Sequence, residues 1–392
     1  MSLAVGASTE DLATLDPEAI AAAARRFAGA GPDAPLHYLD GLEALATDID
    51  ASARLTAAGR RTVRAALVKA LATQLHVRRM TEADPDIERT PVRPVLITGL
   101  LRSGTTFLSH LVAQHPGLRA PALWELMSPA DPAGDEALVA RCESYIEEYY
   151  RAAPDFRHIH LLEARLPEEC HRLTANSFRH PIYALRYRVP GYVDWLAGRS
   201  MVPAYELHRA QLRCILRRRP GNPVVLKCPS HLWHLDALGQ VYPDAKVIRL
   251  HRSPSVAVPS ACSLTAAVRS ARSDRVDREE IGRYWLEQAA SALTGMRKGE
   301  APLPTPPLDL RFADLVADPL GVAAQVCDYV GVPLTDEARR RMAAFVATPT
   351  EAAPGRHRYA AEDFGLTGRE LDERFAGYVA EFELREERGA KR

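Results

Sequence analysis

Apolar and polar positions follow two different periods along this chain, and the switches between them predict its elements. From about residue 9 to 80 the period is helical. Ala-rich segments carrying Arg and Glu, such as Pro17–Ala28 and Ala57–His76, set apolar and charged residues at helical spacing, and the stretch 29–35 breaks them with glycine and proline. The polar run 81–93 leads into Val95-Leu96-Ile97, a β-favouring apolar triplet that predicts a buried strand. Gly99 and Gly104 then bracket a tight turn. Phe107, Leu108, Leu111 and Val112 share one face of the next helix, which His115-Pro116-Gly117 ends. Ala120–Pro129 brings the chain back to the edge of the sheet.

Residues 131–219 carry few strand signals and predict a long helical insertion of the kind that makes a substrate lid. Strand patterns return at 223–227, 244–250 and 308–312, each followed by helical spacing; Leu232, Leu235, Leu238 and Val241 follow the first. Residues 313–330 read as a helix, or two, interrupted at Asp318-Pro319. Strands alternating with helices predict an α/β fold, a parallel sheet with helices on both faces. The expected organisation is an N-terminal helical extension over 1–91 packed on the core, an α/β domain over 92–380 carrying the 131–219 insertion, and a charged tail at 381–392.

Composition narrows the class. The 392 residues are 47% hydrophobic and 26% charged, enough for one large domain or two smaller ones. Lys+Arg and Asp+Glu are 50 each, and a zero net charge argues against a general nucleic-acid or anionic-membrane binder. No apolar run approaches the roughly 18 residues of a membrane span, and the first residues lack the basic and apolar regions of a secretory signal. Cysteines 142, 170, 214, 228, 262 and 327 form no C-x-x-C pair, so they read as reduced thiols of a cytoplasmic protein. His231 and His234 stand three apart without a third ligand in view, and no metal is expected there. A homo-oligomer is compatible with all of this.

The candidate chemistry lies in Val95–Thr106. Strand, glycine loop and helix point backbone amides and a helix N-terminus at an anion, usually a phosphate. Gly99 and Gly104 match the glycines of a Walker A loop, but Thr105 stands where its lysine belongs. The loop carries its cation earlier, at Arg102, followed by Ser103, Gly104, Thr105 and Thr106. This Arg-Ser-Gly-Thr-Thr run resembles the 5′-phosphosulfate loop of sulfotransferases that use PAPS (3′-phosphoadenosine 5′-phosphosulfate), in the branch with arginine rather than lysine before Ser-Gly-Thr-Thr. Arg252 and Ser260, a strand-end arginine and a serine eight residues on, match the pair that binds the 3′-phosphate in those enzymes. Arg356, His357 and Arg358, with Phe364-Gly365 following, resemble their C-terminal basic loop. The three motifs occur in the family's order across residues 92–365.

The resemblance implies a P-loop-like sheet, PAPS as sulfuryl donor with PAP (3′,5′-phosphoadenosine) as product, and a hydroxyl acceptor. Phe107 occupies the position where cytosolic members stack a tryptophan on adenine; stacking and core packing are both open to it. Arg102 and Lys227, the latter at the C-terminal end of a strand, are the candidate cations. In the tyrosylprotein and heparan branches a catalytic glutamate follows the His-Pro turn, which points to Glu125 as general base. Glu168, Glu169 and His171 are its rivals, and Trp124, Glu169 and His171 are expected to face the acceptor. The aromatic and apolar content of 178–195 favours a small apolar, lipid-like or phenolic acceptor over a polyanionic sugar. Two other readings stand beside this one. A small-molecule P-loop kinase would need the Walker lysine and an acidic Mg²⁺ ligand at a strand end. A non-catalytic nucleotide-binding module would not need Arg102, Arg252 and Ser260 intact.

Overall fold

The computed structural model describes residues 14–348 and 360–384, apart from 155, 222, 299–302 and 304. Four strands, β1 (Pro94–Gly99), β2 (Val224–Lys227), β3 (Lys246–His251) and β4 (Leu308–Arg311), form one parallel sheet in the order β2-β1-β3-β4. Every residue of β1 and β2 is buried, which is why both read as unbroken apolar runs rather than alternating ones. Successive side chains still go to opposite faces. Val95 and Ile97 pack with Leu108, Leu111 and Val112 of the helix Thr105–Val112, and with Val322 and Val326 of the helix Pro319–Val330. Leu96 faces the other way, into a core built with Leu226 and Val247 and with the helices Pro254–Ser270 and Arg278–Lys298.

The insertion is a series of helices over Asp135–Ala152, Phe156–Ile159, His171–Ala175, Ile182–Arg186, Pro190–Ala197 and Val202–Arg218. The N-terminal helices Pro17–Phe27, Leu39–Ser52 and Ala57–Ala83 share a separate core with insertion residues Phe178, Tyr183, Tyr187 and Tyr192. Their hold on the α/β layer runs through Gly59. A Cβ there would come within 2.1 Å of the Arg272 carbonyl oxygen, just past the helix Pro254–Ser270, so only glycine permits the approach.

Several boundaries differ from the sequence reading. The third helix runs on to Ala83, where Asp84 caps a 3₁₀ turn over Pro85–Arg89 through its side chain. The third strand starts at Lys246 rather than at residue 244, because a turn with Ala245 N–H donating to the Tyr242 carbonyl at 3.1 Å occupies the preceding residues. Residues 312–330 form two helices, Phe312–Ala317 and Pro319–Val330. Asp318 ends the first and caps the second by accepting from the Gly321 N–H at 2.8 Å. The six cysteines are free and buried. No helix among the described residues is long and apolar enough to cross a membrane. Arg356, His357 and Arg358 lie outside the described residues.

Candidate active site

The chain leaves β1 for β2 on one side and reaches β3 on the other. In open parallel sheets such a reversal opens a crevice at the carboxyl ends of the strands. The loop after β1 and the segment after β3 border it. Gly99 lets the loop pass against β3: a Cβ there would lie 2.4 Å from the Leu250 carbonyl oxygen. Gly104, at φ +91, forms the N-terminal cap of the helix Thr105–Val112. The amides of Thr105, Thr106 and Phe107 precede that helix's first i→i−4 bond, made by Leu108 N–H to the Gly104 carbonyl at 3.1 Å. They are therefore the donors that a helix N-terminus offers an anion.

Arg102 adopts φ +71, a conformation unusual for a side-chain-bearing residue and one that clusters at functional sites. Its neighbours fix it there. The Arg252 guanidinium donates to the Arg102 carbonyl at 2.8 Å, and Arg102 Nε donates to Ser260 Oγ at 3.1 Å. Arg102 also reaches the insertion, donating to the Ile159 carbonyl at 3.3 Å. Arg252 lies over the Phe312 ring at 4.0 Å. The fold thus brings together the three residues that resemble a phosphosulfate and 3′-phosphate set. Each offers N–H or O–H donors, as anionic oxygens require.

Lys227 ends β2 with its side chain only 1% exposed. It donates to Thr106 Oγ1 at 3.1 Å and to Glu169 Oε1 at 2.8 Å, with Glu168 Oε1 at 3.8 Å. Glu169 Oε2 accepts from His171 Nδ1 at 3.0 Å. Because Arg186 Nη2 donates to His171 Nε2 at 3.1 Å, the ring's proton belongs on Nδ1. A continuous chain of contacts therefore runs from the loop to the insertion through Thr106, Lys227, Glu169, His171 and Arg186. Burial alone would raise the Glu169 pKa, but the Lys227 ammonium and the His171 donor hold it well below the usual carboxylate range. Glu168 is lowered as well: His160, bonded to it at 2.7 Å, and Lys227 outweigh its burial. Burial pushes His171 down to about 4, so at neutral pH its ring is uncharged. Glu169 and His171 open onto a cavity of about 870 Å³ walled by apolar and aromatic groups including Phe156, Leu185, Trp233 and Trp285.

The other sequence candidates stand elsewhere. The sequence-based expectation for Glu125 meets a competing structural role. Its Oε2 accepts from the Ala122 N–H at 2.8 Å in a capping interaction at the start of the helix Leu123–Met127, and its Oε1 pairs with Arg119. It does not line the cavity. Trp124 is packed in the core with the Arg219 guanidinium over its ring at 5.2 Å, and it too is away from the cavity wall. Phe107 contacts the Phe345 ring at 5.6 Å between centroids. His231 is taken up by Cys170 Sγ at 3.2 Å and Tyr205 OH at 2.9 Å. Among the described residues no group of three His, Cys, Asp or Glu could hold a metal ion. Sequence reasoning missed Arg186 and His160, which orient His171 and Glu168. Their signal was the local run Glu168-Glu169-Cys170-His171, two adjacent acids close to a histidine.

Comparison with known proteins places this geometry. The structure superposes on sulfotransferase STF1 from Mycobacterium tuberculosis with a TM-score of 0.81, 30% identity, and 94% of this chain and 99% of that one covered. Sulfotransferase STF9 from Mycobacterium avium gives the same TM-score at 26% identity, covering 93% of this chain and 96% of its own. The omega-hydroxy-beta-dihydromenaquinone-9 sulfotransferase Stf3 of Mycobacterium bovis and of Mycobacterium tuberculosis is 25% identical over 252 residues, 61% of this chain. The chain spans 63% of the length of those relatives. Residues 94–336, from the first residue of β1 to past the second helix after β4, match the model of the Sulfotransferase family, and the chain belongs to that family.

Proposed function

We propose that the chain transfers a sulfuryl group from PAPS to the hydroxyl of an apolar, lipid-like acceptor. The observation that carries the reading is Lys227, a buried cation bonded at once to the glycine loop through Thr106 and to Glu169 at the cavity wall. It joins an anion-binding loop to a cavity lined mainly by apolar groups. Arg102, Ser103, Gly104, Thr105 and Thr106, with the helix amides, would hold the phosphosulfate; Arg252 and Ser260, with the basic segment 356–358, would hold the 3′-phosphate. Phe107 would meet the adenine. PAPS, when bound, supplies a sulfuryl group already attached to a good leaving group, so the protein's task is positioning and charge stabilisation.

Arg102 and Lys227 place positive charge where the transferring and leaving oxygens gain negative charge. Glu169, in place of Glu125, is the base. Oε1 accepts from Lys227 and Oε2 from His171, and each retains a second lone pair for the acceptor's proton. His171, neutral and oriented by Arg186, holds the carboxylate in position. The Stf3 relatives are named for a hydroxylated menaquinone derivative, which supports a lipid-like alcohol for this cavity. Location in the cytoplasm and action without a metal are part of the same proposal.

The test is transfer of label from PAPS to a panel of hydroxylated lipids and phenols, with EDTA expected to leave the rate unchanged. PAP should bind at least about tenfold more tightly than AMP, because one or more charge-assisted contacts of about 1.5–3 kcal/mol depend on the 3′-phosphate. Equal affinity for the two nucleotides overturns the reading. Transfer of phosphate from ATP with strict Mg²⁺ dependence would favour the kinase.

A further inference from the structure

Behind the acceptor cavity lies a second, larger one of about 1890 Å³, between the N-terminal helix Ala57–Ala83 and the insertion helix Asp135–Ala152. The two cavities share Tyr145, Tyr149, Arg172 and Arg186 as a common wall. This wall is charged in one sense. Arg172, Arg186, Arg272 and Lys69 all line the second cavity, and among the described residues none of the four forms an ion pair with a carboxylate. Arg141, at the same cavity, is already paired with Asp131 at 3.1 Å. Glu148 is the one acidic residue among those lining it, and it is exposed.

The three arginines rest on neutral groups instead. Arg172 lies over the Tyr145 ring at 5.8 Å and Arg272 over the Tyr149 ring at 4.9 Å. Arg272 is only 8% exposed and donates to the Val268 carbonyl at 2.8 Å. Arg186 donates to His171, and Arg172 Nε is buried without a hydrogen-bond partner. Burial and the Arg172 charge lower the Lys69 pKa. Despite its burial, Tyr145 is shifted down, toward its phenolate, by Arg172, Arg186 and Arg272. Burial disfavours the charge on Arg172 and Arg272, and tyrosine hydroxyls, joined by Glu168 at Arg172, outweigh it. With no carboxylate among the described residues paired to any of the four, a bound anion would supply a full counter-charge at close range.

We infer that the second cavity binds the anionic end, a carboxylate or phosphate, of an acceptor whose hydroxyl reaches Glu169 through the first cavity. The site would then select amphiphiles charged at the end remote from the hydroxyl. Arg186 would connect the two functions, since it lines both cavities and orients His171. The inference rests on the sulfuryl-transfer reading for the acceptor's role but not for its binding.

The probes are ω-hydroxydodecanoate, ω-hydroxydodecyl phosphate and the neutral dodecanediol, titrated calorimetrically into the full chain with PAP present. Either anion should bind at least about tenfold more tightly than the diol. Arg172→Gln and, separately, Lys69→Met should each cut the preference by at least about threefold while leaving PAP affinity unchanged. The Lys69 variant and the wild-type comparison keep the test valid should Arg172→Gln fail to fold. Equal binding of diol and anions by the wild type overturns the inference, as does a preference that survives in both variants. Anion preference without label transfer from PAPS would sink the proposed reaction alone. Label transfer with no anion preference would sink this inference alone.

Discussion

Glu169→Gln is the sharpest perturbation of the site. The change preserves shape and leaves an oxygen to accept from Lys227, but glutamine cannot take a proton at neutral pH. Loss of a positioned general base costs ~10²–10⁴-fold in turnover, or about 3–5 kcal/mol of barrier at roughly 1.4 kcal/mol per decade. The fold also loses the counter-charge 2.8 Å from a lysine whose side chain is 1% exposed. Breaking such a buried pair costs about 3–5 kcal/mol, and the lower end applies because Glu168 remains 3.8 Å from Nζ. The variant must therefore be assayed well below its own melting temperature, by single-turnover transfer of label from PAPS, with PAP affinity measured on the same sample. Expected are a turnover loss of at least ~10²-fold and a PAP dissociation constant within about threefold of wild type. His171→Asn, which removes a positioning group, should cost roughly tenfold. Near-normal turnover in Glu169→Gln refutes the assignment. If His171→Asn then loses the activity, the imidazole is the base.

Stability should fall on mild acidification. His171 and His208 are buried, with pKa values pushed down by burial to about 4 and about 3. Between those values and an unfolded pKa near ~6.5 the unfolded chain binds protons that the folded chain does not, so their contribution is complete above ~6.5 and lost as pH falls. For His171 the shift corresponds to about 3 kcal/mol, and a melting temperature that stays flat from pH ~7 down to ~4.5 would contradict it. Arg102→Ala should lower turnover more than PAP affinity, and Arg252→Ala should do the reverse, since the two are assigned to reacting and non-reacting oxygens. Turnover and titration calorimetry on both variants check this, and the opposite pattern refutes it.

The heart of the sheet was legible because β1 and β2 are buried on both faces, so burial wrote itself into the sequence as continuous apolar runs at 95–97 and 224–226. The loop after β1 was legible because its geometry demands glycine at two fixed positions. Arg252 and Ser260 were legible because a strand end and the next helix keep a fixed spacing. What lay beyond reach was pairing across the insertion. Glu169 meets Lys227 through an isolated bridge, with the Cys170 N–H donating to the Lys227 carbonyl at 3.0 Å. Contacts between residues 58 apart leave no local period to read. The second cavity is of the same kind: its walls come from the N-terminal helices, the insertion and the residues just past the helix Pro254–Ser270, segments far apart in the chain.

Glu125 shows how placement by spacing can separate from placement by geometry. The distance from His115-Pro116 marked it as the base, yet the local chain gives its carboxylate another task. Segment 118–122 runs beside β2, where Arg119 N–H donates to the Pro223 carbonyl at 3.0 Å and the Arg119 carbonyl accepts from Val225 N–H at 2.7 Å. Glu125 then clamps this segment to the next helix through Arg119 and the Ala122 amide. Glu125→Gln should accordingly act on stability. The amide oxygen can still cap Ala122, but the charged bond to Arg119 is lost, at about 1.5–3 kcal/mol. Turnover, measured where the variant is fully folded, should stay within about threefold of wild type. A ~10²-fold fall in turnover with an unchanged melting temperature would return the base to Glu125 and leave Glu169 as the partner that keeps Lys227 charged.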